Sequence, residues 1–407
     1  MKLSSFLFKV FLILMLGGCS SSQEYRWYRG NTHTHSLWSD GNDFPEMIVG
    51  WYKDQGYDFV ALSDHNILAV EEKWMSLESI NERQRVEGPG AFEKYQDRYD
   101  KSWIETRDNE GKQEVRLKRI DEYRGLFETP DEFLILQAEE ISSISSGKPV
   151  HMNAVNLPGK TIIPFIQDNT SVEEIMRAHL RAAADREEET NQAILVHLNH
   201  PNFRWAITAE ELANVVEEHF FEVYNGHPAV EHMGDETRPS VERIWDIANT
   251  IRLAELDAAP LFGIATDDSH TYHGGDVSPG RGWIMVQADQ LDGNAIIKAM
   301  RSSKFYSSSG VYIDSINYDP NNRILKFTIN QEEGIDYSAQ LIGTKKDYQS
   351  LTEIGTILDE KSGTRLSFKI PDDVLYSRVT ISSNKPHPNP SFENQVEQAW
   401  LQPIGWR

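Results

Sequence analysis

Histidine and carboxylate side chains, which are preferred ligands of divalent cations, occur in six short clusters along the chain. In chain order the clusters are Asn31-Thr32-His33-Thr34-His35 with Asp40, Ser63-Asp64-His65, Glu139-Glu140-Ile141-Ser142, His151, His197-Leu198-Asn199-His200-Pro201 and Asp267-Asp268-Ser269-His270. In the first cluster the two imidazoles are two residues apart, so on an extended segment they point to the same side and can reach one ion. Imidazole and carboxylate ligands without sulfur suit Zn²⁺, Mn²⁺ or Fe²⁺. The number of candidate ligands exceeds the needs of one ion and indicates two or three.

Each cluster has a simpler interpretation when it is taken alone. A single His-x-His is more often a pair of unrelated histidines, and Asp64 or Asp267 could cap a loop or helix. Glu139 and Glu140 could be solvated charges, and His200 could mark a strand end before a turn. The joint occurrence of the clusters argues against these interpretations. His197 and His227 are among the histidines that receive no role.

Short apolar runs alternate with amphipathic segments between residues 25 and 307, which predicts strands separated by helices. The predicted strands are 57–62, 133–137, 150–157, 193–198, 220–224, 261–265 and 283–287, and the predicted helices are 45–55 and those beginning at Ser171, Thr208 and Ser240. Such alternation implies parallel pairing in a barrel or a doubly wound sheet. Five of the six clusters then lie at strand C-terminal ends, which converge on one face of a (β/α) barrel. His151 is the exception, because it lies near a strand start.

Two regions depart from this alternation. Residues 70–128 are rich in charge and carry aromatic residues at helical spacing, which predicts a helical insertion that is either a solvated excursion or a lid over the pocket. After residue 312 the runs 323–329, 365–370 and 377–382 alternate between apolar and polar residues. We interpret 312–407 as a C-terminal β-sandwich domain.

The composition limits the class of protein. The 407 residues contain 40 Lys and Arg against 63 Asp and Glu, for a formal net charge of −23, which argues against general nucleic-acid binding. Phosphate chemistry stays open, because bound metal ions supply local positive charge. A hydrophobic content of 39% is sufficient for a folded core.

The N-terminal residues predict export. Residues 1–18 carry a positive charge at Lys2, near their start, and continue in an apolar run. The segment Leu16-Gly17-Gly18-Cys19 resembles the lipobox of bacterial lipoproteins. Cys19 is the only cysteine in the chain and would be the lipidation site, followed by a tether over 19–25. An ordinary signal peptide and a short transmembrane anchor are the alternatives. We therefore expect a membrane-anchored lipoprotein of a bacterial cell envelope, in the periplasm, the outer membrane or at the cell surface.

The six clusters together resemble the motifs of the PHP (polymerase and histidinol phosphatase) domain. The matching motifs are His33-x-His35 with Asp40, Ser63-Asp64-His65, Ala138-Glu139-Glu140-Ile141-Ser142, His200-Pro201 and Asp268-Ser269-His270. The resemblance covers residues 26–307 and implies a distorted (β/α)7 barrel that holds two or three metal ions and hydrolyses phosphoesters. The residues Ala138 and Thr266-Asp267 depart from the family pattern, which has glycine and Gly-Ser there.

The resemblance also implies which residues would hold each ion. His33, His35, Glu140 and Asp268 would hold the first ion, Glu140, His151 and His200 the second, and Asp40, His65 and His270 the third. Glu140 is preferred over Glu139 because the family glutamate is followed by an apolar residue and then a hydroxyl residue, as in Ile141-Ser142.

Three further residues receive roles from their chemistry. We expect Asp64 to orient an imidazole, Arg281 to clamp a phosphate and Asn225 to line the substrate pocket. The structural alternatives are a surface ion pair for Arg281 and a turn residue for Asn225.

The expected activity is hydrolysis of a phosphate mono- or diester by metal-bound hydroxide. One alternative is amide or lactone hydrolysis by a metal-dependent amidohydrolase. The other is a non-catalytic cell-surface binding lipoprotein whose sandwich captures a ligand through exposed aromatics such as Trp400 and Trp406.

Overall fold

A computed structural model of the chain describes residues 25–84 and 88–406. The predicted signal peptide, the lipidation site Cys19 and most of the predicted tether lie outside these residues, and they stay predictions. Among the helices of the described residues, none combines the length and the apolar character needed to cross a membrane.

Over these residues the chain forms eight α-helices and twenty β-strands. The helices are α1 Pro45–Asp54, α2 Leu77–Glu82, α3 Ala91–Arg98, α4 Ile120–Phe127, α5 Val172–Thr190, α6 Ala209–Asn214, α7 Val241–Ala254 and α8 Gly293–Arg301. The first thirteen strands are β1 Arg26–Asn31, β2 Phe59–Leu62, β3 Lys73–Ser76, β4 Thr106–Asn109, β5 Lys112–Leu117, β6 Leu134–Ser145, β7 Lys148–Val155, β8 Gln167–Asp168, β9 Leu195–Leu198, β10 Phe220–Asn225, β11 Phe262–Thr266, β12 Trp283–Ala288 and β13 Phe305–Ser308. The remaining strands are β14 Ile313–Asp319, β15 Ile324–Ile329, β16 Tyr337–Lys345, β17 Thr356–Ser362, β18 Arg365–Lys369, β19 Val374–Pro386 and β20 Val396–Ile404.

The helix starts follow the capping chemistry that the sequence predicts. The side chains of Ser171, Thr208 and Ser240 are N-caps that accept hydrogen bonds from backbone N–H groups three residues on. Thr208 also forms a capping box with Glu211. The predicted starts of α5, α6 and α7 are confirmed.

A fourteen-stranded sheet dominates the molecule and gives it a mixed α/β fold, as predicted. Its strand order is β11-β10-β9-β7-β6-β2-β1-β12-β13-β20-β19-β16-β17, with β8 paired to β6. The pairs β1–β2, β2–β6, β9–β10 and β10–β11 are parallel, whereas β7 is antiparallel to both β6 and β9.

The expectation of parallel pairing is wrong at β12, which is antiparallel to β1, and at β7, where the reason is local. Ser145 and Lys148 pair across a two-residue turn made of Ser146 and Gly147. Both turn residues have positive φ, 48° and 86°, which is the backbone of a tight hairpin. β6 and β7 therefore form a hairpin instead of a parallel pair joined by a helix.

The segments that follow β1 and β11 lie against each other. Thr34 and Ser269 form a parallel bridge. His35 N–H donates to the Ser269 carbonyl at 2.9 Å, and Asp268 N–H donates to the His33 carbonyl at 3.0 Å. The first and sixth sequence clusters thereby become neighbours.

The insertion predicted over 70–128 is not purely helical. It contains α2, α3 and α4 together with a three-stranded antiparallel sheet in the order β3-β5-β4. The β4–β5 hairpin turns at Glu110 and Gly111, both at positive φ, and β4 is exposed along its length. Its strands carry many charged residues, so no apolar alternation marked them as strands.

The C-terminal residues form strands only, with one short 3-10 helix at Leu351–Glu353. β14, β15 and β18 make a separate sheet, while β20, β19, β16 and β17 extend the large sheet beyond β13. The predicted runs 323–329, 365–370 and 377–382 lie in β15, β18 and β19. Trp400 is only 2% exposed, so it is not the exposed aromatic that ligand capture would need.

Candidate metal centre

The carboxylate of Glu140 lies at the centre of the site. Glu140 is buried on β6, and five imidazole nitrogens lie within 3.5 Å of its two oxygens. The distances are 3.5 Å to His33 Nε2, 3.4 Å to His35 Nε2, 2.7 Å to His65 Nδ1, 3.0 Å to His151 Nδ1 and 3.3 Å to His200 Nε2. Residues from distant parts of the sequence thus converge on one carboxylate.

Asp268 lies on the inner side of the same cluster. Its Oδ1 is 3.2 Å from His33 Nε2 and 3.1 Å from His35 Nε2. Asp268 has a φ of 47°, in the left-handed region that a non-glycine residue rarely adopts. His200 also has a positive φ, of 21°. Backbone strain of this kind concentrates at functional sites.

Asp40, His65 and His270 form the outer part of the cluster. Asp40 Oδ2 is 3.5 Å from His65 Nε2, and Asp40 Oδ1 is 3.4 Å from His270 Nε2. The Asp40 side chain is 55% exposed, whereas those of His33 and His35 are fully buried. The cluster is therefore open to solvent on the side of Asp40.

The β6–β7 hairpin explains how His151 reaches the site. His151 pairs with Ser142 across the hairpin, which places it beside Glu140, and Glu140 lies within β6 instead of at the C-terminal strand end that was predicted. His200 follows β9, and its Nε2 faces Glu140. The neighbouring His197 instead directs its Nε2 to the Thr32 hydroxyl at 3.2 Å.

The structure brings all nine predicted ligands together. They form four overlapping groups whose candidate ligand atoms lie within 4.8 Å of one another. The groups are His35, Asp40, His65 and His270; His33, His200 and Asp268; His33, His35 and Glu140; and His65, Glu140 and His151. The geometry therefore accommodates more than one ion.

The donor set fits divalent cations. His33 Nε2 is a buried nitrogen without a hydrogen-bond partner among the described residues, and it points at Glu140 and Asp268. An unpartnered buried polar atom is costly, and a cation between the imidazole and the two carboxylates would satisfy it. Nitrogen and oxygen donors without sulfur suit Mn²⁺, Zn²⁺ or Fe²⁺.

Burial and mutual charge shift the pKa values of the cluster. Burial lowers the pKa of His35 to about 4, which keeps its imidazole neutral, as a metal ligand must be. Burial opposes ionisation of Glu140, but His65, His33 and His151 together hold its pKa well below the usual range. Burial likewise opposes protonation of His33, yet the carboxylates of Asp268, Glu222 and Glu140 raise its pKa well above the usual value. These carboxylates favour positive charge at His33, which a bound cation would also supply.

Glu222, which received no role from the sequence, holds two of the predicted ligands in place. Its Oε1 lies 2.7 Å from His33 Nδ1, and its Oε2 accepts from the His200 backbone N–H at 2.8 Å. A carboxylate on the far nitrogen of a ligand histidine fixes the orientation and raises the basicity of the ring. The signal in the sequence that could have indicated this role was a glutamate within the apolar run that forms β10. That strand is buried at every position, and a buried glutamate needs a partner.

Glu139 faces away from the cluster. Its Oε1 accepts from the Ile163 backbone N–H at 2.5 Å, and burial raises its pKa to about 7. The structure thus separates Glu139 from Glu140, as alternation along a strand requires.

Asp64 does not contact an imidazole directly. Its carboxylate accepts from the backbone N–H groups of Ser36 and Ser39, at 2.8 Å and 3.0 Å, and from both hydroxyls. The Ser39 hydroxyl in turn lies 3.4 Å from His35 Nδ1. Asp64 therefore positions the loop after His35, instead of orienting a ring itself as predicted.

The side chains of Asn225 and Arg281 also donate their hydrogen bonds to other protein groups. Asn225 Nδ2 donates to Glu222 Oε2 at 2.8 Å and to Asp268 Oδ2 at 3.1 Å, which holds the Asp268 carboxylate. The Arg281 guanidinium is buried and donates to the carbonyls of Gly226 and Asp276 and to Asn389. These contacts differ from the phosphate clamp predicted for Arg281, because its donors bind protein groups.

Comparisons with known proteins returned solved structures only. No protein-family model and no curated protein matches the chain. A two-domain protein from Bacteroides vulgatus, described as containing a PHP-like metal-dependent phosphoesterase, is similar at 14% identity and a TM-score of 0.40, over 93% of this chain and 95% of that chain. PsfC from Pseudomonas syringae is similar at 11% identity and a TM-score of 0.33, over 68% and 88% of the two chains. A protein from Bifidobacterium adolescentis described as a metal-dependent phosphoesterase is similar at 13% identity and a TM-score of 0.30, over 69% and 96%.

Proposed function

We propose that the chain is an exported, lipid-anchored, metal-dependent phosphoesterase that hydrolyses a phosphate mono- or diester. The observation that carries this proposal is the convergence of five imidazoles on the buried Glu140 carboxylate, inside a pocket of nine nitrogen and oxygen ligands. The bridge between Thr34 and Ser269 supports the accompanying proposal of a distorted (β/α)7 barrel, because it joins the segments that follow β1 and β11, two strands far apart in the order of the sheet. The C-terminal strands would then form the sandwich domain.

The residues of the site divide the work of such a reaction. Divalent ions held here would neutralise phosphoryl oxygens and lower the pKa of a bound water. Glu140 would help to hold more than one ion, since it belongs to two of the ligand groups. Asp40, His65 and His270 border the solvent-exposed side, where a substrate would enter. Cys19 is the only cysteine of the sequence, and once acylated as proposed it would not be available as a nucleophile.

A phosphate-release screen of the purified full-length protein tests the proposal. The screen would cover aryl and alkyl mono- and diesters with Mn²⁺, Zn²⁺ or Fe²⁺, before and after treatment with a chelator. We expect turnover that the chelator abolishes and that added metal restores. Metal-independent turnover, or hydrolysis of amides and lactones without phosphoesters, would contradict it.

The same assay applied to cell fractions tests the lipid anchor. We expect the activity in the membrane fraction of cells that produce the wild-type chain and its loss from that fraction in Cys19→Ala. Equal partitioning of the two chains would argue against acylation of Cys19.

A further inference from the structure

His227 lies at the rim of the metal centre without belonging to it. Its ring centroid is 5.7 Å from that of the outer ligand His270 and 5.8 Å from that of Phe203. Phe203 in turn lies 5.1 Å from the ring of His200. Phe203 and His227 thus complete an arc of rings between two predicted ligands, although neither is in a ligand group.

The surrounding backbone fixes the orientation and the tautomer of His227. Its backbone N–H donates to Asn225 Oδ1 at 2.8 Å, and its Nδ1 accepts from the Ala229 backbone N–H at 3.0 Å. Because Nδ1 is an acceptor, the proton of the neutral ring is on Nε2. Nε2 has no hydrogen-bond partner among the described residues. It is also not among the buried atoms that lack a partner, so it is accessible to solvent. Nε2–H is therefore a donor that is held in place and free to bind a ligand.

The position of this donor suits the open side of the site. His227 is half-buried next to His270, on the side where Asp40 is exposed. If the ions bound a phosphate ester, some of its oxygens would remain without a metal contact and could accept a hydrogen bond. A preorganised N–H donor beside them stabilises the charge that develops during hydrolysis.

We propose that His227 contacts the substrate, donating a hydrogen bond from Nε2 to an oxygen of the phosphate ester bound at the metal centre. This inference rests on the proposed phosphoesterase function. It assigns to His227 a substrate-binding role that is separate from metal binding, and Phe203 packs against the imidazole and supports it.

The test compares His227→Ala and His227→Gln with a control at the opposite end of β10. His219 precedes β10 and is exposed, whereas His227 follows the opposite end of that strand, so His219→Ala is the matched control. For each Mn²⁺-loaded protein the measurements are kcat/KM on the best ester from the screen, bound Mn²⁺, the thermal midpoint and the Kd for inorganic phosphate by calorimetry.

We expect His227→Ala to lower kcat/KM by about 100-fold, the size of effect seen when one such donor is removed. Phosphate affinity should fall by about tenfold, as the loss of one hydrogen bond to a charged group predicts, with bound Mn²⁺ and the thermal midpoint unchanged. His227→Gln keeps an N–H donor and should recover part of both losses, and His219→Ala should match the wild type.

Two results would overturn the inference. One is unchanged phosphate affinity in His227→Ala, and the other is loss of Mn²⁺ in proportion to the loss of turnover, which would make His227 a metal ligand. Failure of the proposed function is distinguishable, because the wild type would then hydrolyse no phosphoester while the phosphate Kd still reports on His227.

Discussion

Charge compensation around single residues explains how so many ionisable groups fit into one buried pocket. Glu222 is fully buried, yet each of its oxygens accepts two hydrogen bonds, from His33 and Thr266 on one side and from His200 and Asn225 on the other. A carboxylate that is bonded in this way stays ionised. Its negative charge adds to that of Glu140 and Asp268 and strengthens the attraction of the pocket for cations.

Replacing Glu222 by Gln should weaken metal binding while leaving every predicted ligand in the chain. An amide would direct an N–H₂ group at donors that need an acceptor, so the His33 ring would lose its fixed orientation. We expect Mn²⁺ affinity to fall by 10- to 100-fold, about the range measured for partners of ligand histidines. Titration of the chelator-treated protein with Mn²⁺ measures this.

The exposed neighbour Glu217 provides the control for that titration. Its side chain is 53% exposed and faces Arg177 instead of the site, so Glu217→Gln should bind Mn²⁺ like the wild type. Wild-type affinity in Glu222→Gln would show that the carboxylate does not support the metal centre.

At the residue scale, the sequence predicted the candidate metal ligands better than the residues that hold those ligands in place. His33 and His35 were recognisable because their spacing and neighbours are local. Glu222 was not assigned a role, since its contact with His33 joins residues 189 positions apart, and a glutamate inside an apolar strand does not by itself reveal its partner. Arg281 carried a plausible charge, but only the fold shows that protein carbonyls occupy its donors.

At the scale of elements, a loop between β19 and β20 connects the C-terminal strands to the metal centre. Asn389 in this loop accepts from the Arg281 guanidinium at 3.1 Å and donates to the Pro279 carbonyl at 3.1 Å. Arg281 then donates to the Gly226 carbonyl at 2.8 Å, next to Asn225, which holds Asp268. Gly226 has no room for a side chain, because an added Cβ would lie 2.5 Å from the Asp267 carbonyl oxygen. The C-terminal strands therefore help to position a predicted metal ligand.

Removing the side chain of Asn389 should reduce activity, although this residue lies outside the pocket. We expect Asn389→Ala to lower kcat/KM by about tenfold, the lower end of the range for groups that support metal ligands. Mn²⁺ affinity should fall in parallel, because Asp268 loses part of its support. Steady-state kinetics at several Mn²⁺ concentrations would show the loss shrinking as the metal concentration rises.

Asn330→Ala is a suitable control for Asn389→Ala, since Asn330 is exposed and its side chain donates to Asp314 of the neighbouring strand β14 at 3.0 Å. A loss of activity that is equal in both variants would indicate general destabilisation of the C-terminal strands. It would remove the specific role of the Asn389 contact.

The elements themselves were predictable where local signals are strong and unpredictable where pairing is distant. Pro45 at the start of α1 and the serine and threonine caps marked four helices, and apolar runs marked the strands that carry the site. The antiparallel course of β7 was missed, although Ser146-Gly147 is a turn signal. β4 was missed because it is polar and exposed along its length, and β5 because its first half is polar and only Val115 and Leu117 form its apolar face.

At the scale of the whole molecule, the metal centre stands out against a chain of net charge −23. Burying Glu140, Asp268 and Glu222 together in an acidic protein is unfavourable unless positive charge accompanies them. Divalent ions held by the candidate site would supply that charge, and because the unfolded chain holds no assembled site, their binding would stabilise the native state.

The most direct test is quantification of metal in the purified full-length protein and in Glu140→Gln by inductively coupled plasma mass spectrometry, after reloading with Mn²⁺ and removal of free ions. The wild type should retain two or three equivalents, since its nine side chains form overlapping ligand groups. Glu140→Gln should retain far less, because Glu140 belongs to two of those groups. A wild-type protein that retains no metal, or a variant that retains as much as the wild type, would contradict the account.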